Sequence, residues 1–418
     1  MSFGIRDFYS PRSLSLKIGD ERESALFRCG EHVELEVVPH MDRGLAPEGE
    51  IVVRTDDGTA DGVRETSFRA DGPARLVVCR ETPGFVRCTA EWRHGGETAA
   101  RISRSIGFSV EEIRPDEPEP EGFAAFWKGL LDQAAALPEQ PFLTPVPECD
   151  DEKTRLFELC VPTLNGKRMY GFVSIPKAEG KYPVIICYPG SGPASDGRRA
   201  LRYEDAISLF MNVHFYRFEP GVPPEETAAR VGYNPNGYAT FGIESRDTYF
   251  YHDVVPGISR AVSFMASLPQ FNGKDMGVFG SSQGGWLSIM SAAFHPEITA
   301  MCLNVPAFCQ LDGFLAVRKE MEKHADDAAY LARVLETLRW YSSVHAAKRI
   351  RAAAAVIVGR IDECCPPTGI YAMFNELAGK KKMFNEMDMR HECRASWSEG
   401  IQALHDFLVH PRENACRS

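Results

Sequence analysis

Five residues, Gly280-Ser281-Ser282-Gln283-Gly284, have the types and spacing of a nucleophile elbow. They follow the apolar run Met276 to Phe279 and precede Trp286-Leu287-Ser288-Ile289-Met290, which reads as a helix. At such a strand-to-helix turn the serine stands on a strained backbone, and side chains two residues to either side would collide with neighbouring main chain. Glycine at 280 and 284 removes that obstruction, and Gly285 adds room. The chemistry implied is acyl transfer, with Ser282 as nucleophile.

A serine hydroxyl is a weak nucleophile at neutral pH, so a histidine must accept its proton and a carboxylate must orient the histidine. In this kind of site the chain order is serine, acid, histidine. Asp362 follows the buried run Ala355 to Val358 and the turn Gly359-Arg360-Ile361, and His391 follows the short segment Met383 to Met389. Other candidates also lie beyond the serine: Asp312, Asp326, Asp327 and Asp388, and His295, His324, His345, His405 and His410. Asp326 and Asp327 fall in a polar helical stretch, and these histidines lie in or beside helices, where capping or surface exposure accounts for them. A tetrahedral intermediate also needs two backbone N–H donors. Gln283 is expected to supply one, and Ser191, in the loop Pro189-Gly190-Ser191-Gly192 after the run Val184 to Tyr188, the other.

Two rival readings attach to the same residues. Gly190-x-Gly192-x-x-Ser195 is like a dinucleotide-binding turn, but serine replaces the third glycine and no acidic residue ends a following strand at the expected distance. His391-Glu392-Cys393-Arg394-Ala395 begins like the helix of a zinc peptidase but lacks its second histidine. Cys364 and Cys365 are adjacent, and no second cysteine pair completes a zinc set. Neither a metal nor an organic cofactor is expected.

The elements that must hold these residues alternate. Val184–Tyr188, Val213–Tyr216, Met276–Phe279, Ala300–Val305 and Ala355–Val358 read as short buried strands, the pattern of a mostly parallel sheet covered by helices on both faces. Phe123 to Ala136 has helical spacing, and Val254, Ile258, Ala261, Val262, Met265 and Leu268 mark a longer helix. Residues 12–112 have period two instead, as in Val33, Leu35 and Val37 or Val86, Cys88, Ala90 and Trp92, with turns such as Asp56-Asp57-Gly58 between. They predict a small antiparallel, immunoglobulin-like β-sandwich. The acidic, proline-rich run 114–120 resists helix and ladder alike. The expected division is an accessory β-sandwich at 1–113, a linker at 114–120 and a catalytic domain at 121–418.

With 418 residues, 44% hydrophobic and 25% charged, the chain has the composition of a globular protein. A formal charge of −11 and a pI near 5.6 argue against a duplex nucleic-acid partner, which needs a basic surface. No apolar run is long enough to span a bilayer, and MSFGIRDFYSPRSLSL lacks the apolar centre of a secretory signal, so the chain reads as cytoplasmic. Its twelve cysteines are spread along the length and read as reduced and mainly buried.

Three stretches resemble carbohydrate esterase family seven, the acetyl xylan esterase and cephalosporin C deacetylase group of α/β-hydrolases. They are Gly280–Gly285, Asp362-Glu363-Cys364-Cys365-Pro366-Pro367-Thr368 and His391-Glu392, supported by Tyr249-Phe250-Tyr251. The resemblance covers about 121–410 and implies the triad Ser282, Asp362 and His391, a small-molecule or oligosaccharide ester as substrate, and serine carboxylic-ester hydrolysis that removes acetyl groups. The chain departs from the family where Phe218-Glu219-Pro220-Gly221 stands for an Arg-Gly-Gln motif and Pro189-Gly190-Ser191 for His-Gly-Tyr, and in its extra amino-terminal strands. These departures leave ester hydrolysis as the expectation and leave open the acetylated-sugar substrate, the family's ring-like oligomer and a homo-oligomer of any kind. Two other functions stay open at this point: a peptidase or other acyl hydrolase on the same scaffold, and a catalytically silent carbohydrate-binding protein.

Overall fold

The computed structural model describes residues 12–19, 25–42, 48–59, 61–115, 117–219 and 221–410. The start of the chain, Asp116 of the acidic run and Pro220 of the Phe218–Gly221 stretch lie outside the described residues. The chain divides into two compact units. The smaller comprises Met1–Arg114, Gly359–Tyr371 and Asn385–Arg390, and the larger comprises Pro115–Val358, Ala372–Phe384 and His391–Ser418.

The period-two region forms β1 (Arg12–Ile18), β2 (Leu26–Phe27), β3 (Val33–Met41), β4 (Glu50–Asp56), β5 (Val63–Arg69), β6 (Ala74–Val78), β7 (Gly84–His94) and β8 (Glu97–Phe108). They build a three-stranded sheet, β1-β3-β6, and a five-stranded sheet, β2-β8-β7-β4-β5. Alternate residues point inward because successive strand side chains face opposite ways. Leu16, Leu35 and Val37 of the first sheet and Ile51, Cys88, Trp92 and Phe108 of the second therefore share one apolar core.

After α1 (Phe123–Ala135), a nine-stranded sheet is built from β9 (Phe142–Pro145), β10 (Thr154–Pro162), β11 (Arg168–Pro176), β12 (Tyr182–Tyr188), β13 (Ile207–Met211), β14 (Phe271–Ser281), β15 (Ile298–Asn304), β16 (Ala353–Gly359) and β17 (Lys381–Glu386). Its order is β17-β16-β15-β14-β12-β13-β11-β10-β9. Pairing is parallel from β16 through β15, β14 and β12 to β13, then antiparallel through β11 and β10 to β9. Val184, Ile186, Val278, Leu303, Val356 and Ile357 are buried, as strands covered on both faces must be. The helices are α2 (Pro224–Val231), α3 (Tyr251–Ser267), α4 (Gln283–Phe294), α5 (Leu315–Lys323), α6 (Ala328–Trp340), α7 (Ser343–Ala347), α8 (Pro367–Glu376) and α9 (Ala395–Val409). α9 lies so close to β14 that a Cβ at Gly277 would meet Leu408 at 2.5 Å. No helix among the described residues is long and apolar enough to cross a membrane.

One expected strand is misplaced. The strand lies at Ile207–Met211, and 213–216 follows it as irregular chain. Aromatic and β-branched residues favour strands, but Phe215 and Tyr216 instead pack their rings around His214 and Tyr233.

Trp92 is fully buried, and its indole donates to the Glu48 carbonyl at 3.0 Å. Trp92→Ala is expected to destabilise the β unit by about 3–5 kcal/mol through cavity formation. A lower denaturant midpoint measures this; an unchanged midpoint contradicts the assigned core.

Candidate active site

β14 leads into Ser282, and α4 begins at the next residue. Ser282 has φ 56° and ψ −117°, a conformation that costs a non-glycine residue about 1–3 kcal/mol. Surrounding groups hold it there. Its N–H donates to the Asn304 carbonyl at 2.9 Å, and its carbonyl accepts from the N–H groups of Trp286 at 3.1 Å and Ala307 at 3.0 Å.

The flanking glycines are steric necessities. A Cβ at Gly280 would lie 2.3 Å from the Gly284 carbonyl carbon, and one at Gly284 would lie 2.1 Å from the Tyr188 carbonyl oxygen. At Gly285 it would press on Pro306 at 3.0 Å. Neither Val305 nor Phe308, beside that proline, has an ordinary backbone: their φ values are 39° and 55°.

Gln283 does more than offer a backbone N–H in the first turn of α4, where intrahelical acceptors are lacking. Its side chain is wholly buried. Oε1 accepts from the hydroxyls of Tyr238 and Tyr251, each at 2.6 Å, while Nε2 donates to the carbonyls of Gly190 at 3.3 Å and Pro189 at 3.4 Å. The amide thus clamps the loop expected to bear the second oxyanion donor. Tyr238 also accepts from the Gly192 N–H at 3.3 Å and bonds to the Ser191 side chain. Burial raises both phenol pKa values, so each remains a donor.

A second brace comes from the stretch misread as a strand. His214 is buried and donates through Nε2 to the Gly192 carbonyl at 2.7 Å, which leaves Nδ1 to accept from the Tyr233 hydroxyl at 3.1 Å. Burial lowers its pKa to about 4, so the ring is neutral near pH 7. Tyr216 accepts from the Ala194 N–H at 2.9 Å, and Asn212 bonds both main-chain groups of Ser195. Phe215 and Tyr233 also line a cavity of about 740 Å³ with Lys167, Tyr249, Phe250 and His252.

His391 lies on the loop between β17 and α9, with an exposed side chain. Asn304, fully buried at the end of β15, ties that loop to the elbow: Nδ2 bonds Ser281 Oγ at 2.9 Å and the Glu392 carbonyl at 3.1 Å. Ser282, Gln283, the 189–192 loop and the His391 loop are thereby linked within the larger unit. Asp362 follows β16 in the smaller unit; it is fully buried, and its Oδ1 accepts from the N–H groups of Cys364 at 2.7 Å and Cys365 at 3.0 Å. Among its competitors, Asp327 caps α6 through the Tyr330 N–H at 2.9 Å, and Asp312 pairs with Arg318. His295 bonds Ser259 and Glu297, and His405 bonds Asp205. Asn304, His214 and Tyr238 are not among the site residues expected from the sequence. A polar residue closing an apolar run was the available signal for Asn304, as was a histidine among aromatics for His214; Tyr238 had none.

Gly284→Ala is expected to displace the 189–192 loop or α4. It should slow labelling of Ser282 by a fluorophosphonate probe about 100-fold, as misplacement of reacting groups by about 1 Å does. Labelling at the wild-type rate contradicts the assigned elbow. Because the folded-state pKa of His214 lies below its unfolded value of about 6.5, the unfolded chain takes up this proton first on acidification. The stability contributed by its neutral form is complete above pH 6.5 and is lost as pH falls towards 4, by roughly 3 kcal/mol. His345, also buried and lowered to about 4, acts in the same direction. Melting temperature should fall over that window, and less steeply in His214→Gln; parallel curves would refute the assignment.

A family model described as acetyl xylan esterase matches residues 108–407. The acetyl esterase Axe7A of Xylanibacter ruminicola is 31% identical over 284 residues, 66% of this chain and 64% of that relative, so the chain spans a little under two thirds of the relative's length. The fold is similar to that of an acetyl xylan esterase from Paenibacillus sp. R4, with a TM-score of 0.62 and 20% identity over 72% of this chain and 98% of that one. Acetyl xylan esterase 1 from Thermoanaerobacterium sp. JW/SL YS485 gives a TM-score of 0.61 and 22% identity over 72% and 96% of the two chains. These likenesses establish an α/β-hydrolase fold, preceded here by a β domain. With the match reaching from the end of β8 into α9 and including Ser282, Asp362 and His391, the chain belongs to the acetyl xylan esterase family.

Proposed function

We propose that the chain is a serine carboxylic-ester hydrolase that removes acetyl groups from acetylated carbohydrates or similar small esters. The observation that carries this reading is the strained Ser282 backbone at the strand-to-helix junction, beside a loop clamped by Gln283. Membership of the acetyl xylan esterase family and the acetyl esterase name of the Xylanibacter relative support the acetyl group.

In this mechanism His391 takes the Ser282 proton as Oγ attacks the acetyl carbon, and Asp362 orients the imidazole and stabilises its protonated form. The N–H groups of Gln283 and Ser191 hold the tetrahedral oxyanion. The alcohol leaves with the proton from His391, giving acetyl-Ser282. Water, deprotonated by the same histidine, then attacks the acyl carbon, and acetate leaves as Ser282 recovers its proton.

Residues 1–113 are read as an accessory sandwich, 114–120 as a linker and 121–418 as the catalytic domain, supported by the last β-region strand ending at Phe108 and α1 starting at Phe123. The cytoplasmic location rests on the sequence, whose twelve cysteines are spread along the chain rather than gathered into a small disulfide framework.

Ser282→Ala is expected to lower kcat on a chromogenic acetate ester by at least about 10⁴-fold while the protein stays folded. Equal activity in wild type and variant would overturn the proposal. Faster turnover of acetyl than of butyryl esters or peptides is expected, and the reverse order would move the reading to another acyl hydrolase.

A further inference from the structure

Asp362 does not belong with the other proposed triad members in packing terms. Its segment, Gly359–Tyr371, forms one compact unit with β1 to β8. Two residues before it, Arg360 is fully buried, with Nη2 donating to the carbonyls of Ala25 at 2.9 Å and Ser105 at 2.8 Å and its guanidinium 5.5 Å from the Phe85 ring centre. Phe85 in turn packs on Tyr371 at 5.4 Å, and the Tyr371 hydroxyl donates to Asn385. Ala25 presents its carbonyl from φ 44°, again a strained conformation for a non-glycine residue.

The other neighbours of Asp362 are held as well. Arg87 of β7 donates to the Ile361 carbonyl at 3.3 Å and pairs with the Glu363 carboxylate. Main-chain bonds run from Arg360 to Glu386 at 2.9 Å and from Ile361 to Met389 at 3.2 Å. Burying a guanidinium is costly, and an apolar residue of similar volume often leaves a protein as stable or more so. Stability alone therefore does not account for arginine here. Its planar fork, reaching two fixed carbonyls at once, sets direction as well as position.

We infer that Arg360, with Arg87, is a positioning residue for the catalytic acid, so that the amino-terminal β unit holds the Asp362 loop in its working geometry. This rests on Asp362 being the acid of the triad.

The test uses the full chain and a chromogenic acetate ester, with Arg360→Met, Arg360→Lys, Arg87→Met, Asp362→Asn and the double variants of Asp362→Asn. Arg360→Met is expected to lower kcat about 10- to 100-fold, the size of a small misplacement of a catalytic group, with KM within about twofold. Arg360→Lys should recover part of the loss. Because Arg360 acts through Asp362, adding Arg360→Met to Asp362→Asn should cost nothing further. Should Arg360→Met fail to fold, Arg87→Met, at a partly exposed site, must show the same non-additivity on a smaller loss. Wild-type kcat in the folded arginine variant, or a loss that multiplies that of Asp362→Asn, would overturn the inference while leaving the triad standing. Wild-type kcat in Asp362→Asn would instead remove the acid assignment, and this inference with it.

Discussion

One backbone dihedral governs the larger unit: Ser282 at φ 56°. A positive φ at a non-glycine residue persists only where surroundings over-determine it. Here the end of β15, the first turn of α4 and the 305–308 segment each contribute a hydrogen bond or a steric limit. The glycines at 280, 284 and 285 follow from the same constraint, since each admits main chain where a Cβ would collide. Val305 and Phe308, in the segment whose Ala307 N–H donates to the Ser282 carbonyl, also have positive φ. Energy spent on this turn is offset by the core around it, where Trp286 is buried and its indole donates to the Tyr341 carbonyl at 2.8 Å.

The 189–192 loop is held by buried neutral groups. Gln283, Tyr238, Tyr251 and His214 form a connected set of donors and acceptors, with each assigned direction dictated by a partner that can only accept or only donate. In a low-dielectric interior such a network is rigid when satisfied and costly when broken. That rigidity suits the proposed site, in which the donors would face a developing oxyanion without rearranging. The Asp362 loop is organised differently: the buried Arg360 guanidinium and an Arg87–Glu363 ion pair tie it to the Ala25 carbonyl and to strands β8 and β7 of the smaller unit.

Much of this was legible from local pattern. The buried runs at 184–188, 276–279, 300–305 and 355–358 mark strands of the sheet, because parallel strands are covered on both faces. The glycines of the elbow announce a close approach through their spacing. The run 213–216 misled because its composition satisfies strand propensity, while the packing of His214, Phe215 and Tyr216 on distant aromatics overrides it. Tyr238 and Arg360 look unremarkable in the chain, since their partners lie from 45 to 335 residues away.

The sequence by itself determined most of the element types and the glycine-flanked turn at Ser282, for these depend on near neighbours and on periodicity. Only the tertiary structure decided that Gln283 clamps the 189–192 loop, that Asn304 joins the elbow to the His391 loop, and that the Asp362 loop packs with the amino-terminal strands. Those are long-range hydrogen bonds and burial. Which distant group a polar side chain will meet is set by how the sheet and helices close around it, and residue spacing along the chain does not encode that.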